Sequence, residues 1–134
     1  MCSSDLSDLH QRLLSYASDA LHGFLRDMER LGVADRVAVL VFSEFGRRVH
    51  ENGSQGTDHG HGNAMMLMGP SIAGGRVLHQ WQGLDLEHLY DFADLPVRID
   101  YRDVLAEILE RRLGNTEIGT VFPGFTPTRR GVLA

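Results

Sequence analysis

The chain has 134 residues, 43% of them hydrophobic and only 7% aromatic, with 18 acidic side chains against 13 basic ones and a formal charge of −5. That is the size of one domain or a piece of a larger one, and the aliphatic content suffices for a core, which sets a disordered chain aside. The acidic balance, with arginines in short pairs rather than along one stripe, disfavours a nucleic-acid partner; the single Cys2 cannot close an internal disulfide, and no apolar run is long enough to span a bilayer.

Cys2-Ser3-Ser4-Asp5-Leu6 reads like the end of a sequencing adapter translated in one frame, so residues 1–6 are expected to be non-native and genuine sequence to start near Ser7. The alternative is that Ser4 is a helix N-cap. No signal peptide is read in these residues. From Leu6 to Leu31 apolar side chains recur every three or four positions, which predicts an amphipathic helix, closed by Gly32 as a left-handed cap and packed on a sheet. Gly23 in its interior is expected to mark a close packing contact.

Val37 to Phe42 is continuously apolar and β-branched, the pattern of a central strand covered on both faces. Ser43 to Asn63 has no periodicity and holds five glycines and three histidines, predicting a long polar loop. Ala64 to Met68 reads as a second buried strand and Arg76 to Trp81 as a third, more exposed one. Asp100 is placed to cap a helix over 101–113, with Tyr101, Val104, Leu105, Ile108, Leu109 and Leu113 as its apolar stripe and Gly114 as its stop. The remainder after Gly114, with Phe122-Pro123-Gly124-Phe125 and Pro127, is expected to be extended and tacked down by its aromatics, 126–134 being the tail. The whole is an α/β arrangement of helix, buried strands, long polar loop and C-terminal helix, a single incomplete domain. In such folds, sites lie beyond the C-terminal ends of strands, which points to 43–63.

Two strings in that stretch carry chemistry: Ser43-Glu44-Phe45-Gly46-Arg47, at the strand's tip, and Gly56-Thr57-Asp58-His59-Gly60-His61-Gly62-Asn63. Carboxylates and neutral imidazoles are ligands for divalent metals, so Glu44, Asp58, His59 and His61 suffice in kind. Of His59 and His61, one is expected to ligate; the other binds substrate or donates to a carboxylate behind the site. The competing reading is a solvated glycine-rich turn, with Glu44 only capping or pairing with Arg47 or Arg48. His10, His22, His79 and His88 read as structural, and the methionines as core filling. No phosphate-binding glycine loop and no Gly-x-Ser-x-Gly elbow occurs, so a hydrolytic nucleophile would lie elsewhere.

Val41-Phe42-Ser43-Glu44-Phe45-Gly46-Arg47, then Glu51-Asn52-Gly53, Gly56-Thr57-Asp58-His59-Gly60, Gly74-Gly75-Arg76-Val77 and Asp100-Tyr101-Arg102-Asp103-Val104-Leu105 together resemble the bacterial family called domain of unknown function 1501, over His10 to Phe125. That family is similar to the alkaline phosphatase and sulfatase superfamily. The resemblance implies part of an alkaline phosphatase-like sandwich, 7–125 being the C-terminal portion, and a metal-dependent phosphate or sulfate ester hydrolase inactive as a fragment; a non-catalytic binding or scaffolding descendant is the alternative. It further implies a divalent metal (zinc, manganese or calcium) held by Glu44, Asp58 and His59, and a small anionic ester contacted by Arg47 and His61. Phe45 departs from the pattern, standing where a ligand histidine would be, and an upstream Asp-Thr-His string is expected before residue 7. A periplasmic or exported setting is also implied.

Overall fold

A computed structural model describes residues 3–54 and 56–134, with side chains from Gln11 onward. The adapter expectation falls on residues 1–6, of which 1 and 2 lie outside the described residues, and Ser4 lies within the first helix rather than capping it.

Helix α1 covers Ser3–Arg30. Gly32 ends it with φ of +69°, its N–H donating to the Glu29 carbonyl while the Val33 N–H donates to that of Met28. This paired closure satisfies carbonyls that the helix end would otherwise leave open, and its left-handed residue is why a glycine stands there. Among the described residues the predicted packing on a sheet is not observed: Leu13, Leu14, Tyr16, Phe24 and Leu31 are exposed, and the one named element α1 meets there is the short 3-10 turn Ala34–Arg36. Gly23 marks no close contact either, since a Cβ built there meets nothing within 4 Å.

The apolar run yields a shorter strand than expected, β1 at Val39–Val41, half-buried. It pairs antiparallel with β4, Met66–Met68, in the register Val39↔Met68, Leu40↔Leu67 and Val41↔Met66. With one partner strand β1 is an edge strand, not the predicted central one. Arg76 to Trp81 forms no strand and is exposed.

The predicted loop over 43–63 is largely a hairpin. Strands β2, Gly46–Glu51, and β3, Thr57–Gly60, pair antiparallel with Gly46 opposite Gly60, Arg47 opposite His59 and Glu51 opposite Thr57, around an irregularity in β2. Its turn is held by Asn52, whose Oδ1 accepts from the Ser54 and Gly56 N–H groups at 3.0 and 3.1 Å, while its own N–H donates to the Gly56 carbonyl. That use of an Asn side chain is a common turn device. Gly46, Gly60 and Gly62 serve close backbone approach: a Cβ on Gly62 would lie 2.7 Å from the carbonyl oxygens of Leu95 and Pro96. The segment 90–96 runs along the hairpin, with Val49 N–H donating to Ala93, Gly62 N–H to Leu95 and Leu95 N–H to Arg47.

Helix α2, Tyr101–Leu113, is as predicted at both ends: the Asp100 carboxylate accepts from the Arg102 N–H, and Gly114 is left-handed. Its buried face differs from the predicted stripe. Tyr101 and Leu113 are exposed, whereas Asp103, Val104, Ala106 and Glu107 are buried. The carboxylates are buried because the tail satisfies them. Asp103 accepts from Thr128 N–H and from the Arg130 guanidinium, and Glu107 accepts from the N–H groups of Arg130, Gly131 and Leu133. The tail is therefore held by backbone bonds to carboxylates, beyond the predicted aromatics, although Phe122 and Phe125 do meet edge-on and Arg102 lies over the Phe125 ring at 4.0 Å. Contrary to the expected extended chain after Gly114, a short helix, α3, spans Ile118–Val121.

Val132 and Leu133 of this tail form the core with Val104, against Met65, Leu67, Ile72 and Ile108. Burial alone would push the Glu107 carboxyl up, but the surrounding backbone N–H groups outweigh it and hold its pKa below the ordinary value. The architecture is mixed α/β, helices with two small antiparallel sheets.

Candidate functional site

The two strings singled out in the sequence meet on the hairpin. Strand pairing sets Arg47 opposite His59. The Phe45 ring stacks on the His59 ring with centroids 4.0 Å apart, and the Arg47 guanidinium lies 5.2 Å from the centre of the same Phe45 ring while donating to the Thr57 carbonyl. Phe45 thus stands in the pattern as a platform, holding an imidazole near a cation. Stacking occupies the face of the His59 ring and leaves its in-plane nitrogens unobstructed by Phe45. Glu44, one residue before this platform, is exposed, and among the described residues its side chain makes no hydrogen bond or ion pair.

Asp58 does not join His59. The two are neighbours in β3, and successive strand side chains leave opposite faces. Asp58 instead accepts from the Asn52 amide at 2.7 Å, bracing the turn. Among the described residues no group of three His, Cys, Asp or Glu side chains stands close enough together to hold a metal ion.

His61 lies just past the end of β3 and belongs to a different cluster. Its Nδ1 is 2.7 Å from Asp94 Oδ2, and its ring leans on Tyr90 with centroids 4.1 Å apart. Asp94 is buried, and its other oxygen accepts from Arg48 Nε at 3.1 Å. Of the two roles left open for the second histidine, contact with a carboxylate is the one observed. Two residues of a strand spaced two apart share a face; the rings of His59 and His61 part because the chain leaves the ladder after Gly60.

Asp94 is the residue that the sequence did not disclose. It arrives through a turn in which the Tyr90 carbonyl accepts from the Ala93 and Asp94 N–H groups. Asp91 and Phe92 take positive φ, 50° and 56°, in that turn. In Tyr90-Asp91-Phe92-Ala93 the local turn signal is Asp91 alone, with no glycine beside it. Ser43, the hydroxyl nearest the strand tip, donates to the Phe45 carbonyl and accepts from Asn63, a local structural use.

No curated protein and no solved structure matches this chain. The model of the family described as protein of unknown function (DUF1501) matches residues 4–122, nearly the whole length, and the quoted motifs fall inside that span. The chain belongs to the DUF1501 family.

Proposed function

We propose that this chain is part of a metal-dependent phosphate or sulfate ester hydrolase-like domain with an alkaline phosphatase-like sandwich, and that it has no turnover alone. The observation that carries the reading is the gathering of Arg47, His59 and the His61–Asp94 pair on and beside one hairpin, directly after an apolar strand. Arg47 is suited to an anionic ester because a guanidinium presents several donors to oxygen. His61, with a carboxylate on one nitrogen, is suited to holding or moving a proton at the other.

A divalent metal enters this reading only as a group to which Glu44 and His59 contribute beside ligands that this chain does not supply, and it would polarise the ester oxygen. Asp58 takes no part in it, since it faces away from His59. The nucleophile also lies outside these 134 residues in this reading.

The test compares the chain with a version extended by the upstream coding sequence, for metal content and for turnover of phosphate and sulfate esters. Stoichiometric metal and turnover in the extended wild type, with both lost in the Glu44→Ala, His59→Ala double variant, is the expected result. An extended wild type without metal removes the reading. Metal without turnover favours the second reading, a binding or scaffolding protein, for which the replacement of a ligand histidine by the Phe45 platform speaks.

A further inference from the structure

We infer that Asp94 is a positioning residue that locks neutral His61 with its proton on Nδ1, so that Nε2 carries the free lone pair. This rests on His61 being a working residue of the site proposed above.

A carboxylate accepts hydrogen bonds and donates none. Asp94 Oδ1 accepts from the Arg48 guanidinium at 3.1 Å, and its Oδ2 lies 2.7 Å from the His61 Nδ1. A carboxylate beside a guanidinium is an acceptor, so Nδ1 must be the N–H. A neutral imidazole has one ring proton, which leaves Nε2 as the basic atom, able to take a proton or bind an electrophile. Free histidine in water favours the opposite tautomer, with its proton on Nε2. The protein has therefore reversed the intrinsic preference at this position.

Three features hold Asp94 for that task. It is buried, with 7% of its surface exposed, so water competes poorly for its oxygens. Its backbone bridges to both Arg48 and Tyr90, fixing it against β2. The turn that delivers it contains two non-glycine residues in the left-handed region, Asp91 and Phe92, a conformation that persists only where surroundings over-determine it. Tyr90, on the same turn, supports the His61 ring from its face.

The experiment is nitrogen-15 correlation spectroscopy of the histidine side chains in the labelled chain at pH 8, where an ordinary imidazole is neutral. His61 is expected to show a protonated Nδ1 and an unprotonated Nε2, whereas His59, stacked on Phe45 without a carboxylate partner, is expected to resemble free histidine. Asp94→Asn is expected to abolish the difference, bringing the His61 shifts toward those of His59. A wild-type His61 with its proton on Nε2 overturns the inference, as does an Asp94→Asn variant that keeps the wild-type pattern. Should Asp94→Asn fail to fold, the wild-type spectrum decides the matter alone. Neither result depends on metal or turnover, so failure of the hydrolase reading would be seen separately.

Discussion

Helices α1 and α2 are both written with an apolar repeat, and they end in opposite circumstances. α1 has the longer and cleaner stripe, yet Leu13, Leu14 and Phe24 remain exposed. α2 buries Asp103 and Glu107 on the face that packs, and anchors the core through Val104. The difference lies in what each helix meets. The tail offers α2 apolar Val132 and Leu133 together with backbone donors that neutralise the cost of burying two carboxylates. α1 is offered no such surface among the described residues. An amphipathic stripe thus states that a helix has a face to cover, and only its neighbours decide whether the face is covered.

The sharpest way to break this contrast is Glu107→Ala. It would leave the N–H groups of Arg130, Gly131 and Leu133 without an acceptor beside the core, and a loss of about 3–5 kcal/mol is expected in denaturant unfolding. A loss under about 1 kcal/mol would mean that the tail is held by its apolar residues alone.

A milder perturbation of the same contact is acid. The Glu107 pKa is lowered below 4.5 in the folded chain, so the folded state binds fewer protons than the unfolded one as pH drops past that value. Its contribution is complete above pH 4.5 and is lost as pH falls through the folded value. Asp100 acts in the same sense, its pKa lowered chiefly by the hydrogen bond from the Arg102 side chain. Unfolding midpoints measured downward from pH 6 should begin to fall below about pH 4.5 in the wild type and change less in Glu107→Gln.

The smallest effect is expected on α1. Leu13 is 58% exposed, and Leu13→Ala should change stability by no more than about 0.5 kcal/mol. A cost of about 2 kcal/mol or more would mean that the face is covered in solution, and the contrast between the helices would fall.

Much of the fold was legible where the signal is local. The α1 repeat, the Gly32 and Gly114 stops and the Asp100 cap all rest on interactions within a few residues, and all are present. The hairpin was not legible, because β2 is Gly-Arg-Arg-Val-His-Glu and shows no alternation of apolar and polar side chains. Gly46, Gly60 and Gly62 imitate a flexible loop while serving close backbone contact, Gly62 with 95–96. For the candidate site, the two strings around Glu44 and His59 were found from residue types alone, and the structure sets Phe45, Arg47 and His59 together. Asp94 was missed, since it lies 33 residues from His61 in the chain and inside a turn that contains no glycine.

By itself the sequence determined helices α1 and α2 and the glycines that end them, the class of side chains gathered between 43 and 63, and membership of the family. Each of these depends on neighbours along the chain or on a pattern of identities. Only the tertiary structure decided which face of α2 is buried, that Asp58 and His59 part company, and that His61 meets Asp94. Those outcomes depend on pairings between distant segments, and a carboxylate is admitted to the interior only where such a pairing brings it donors.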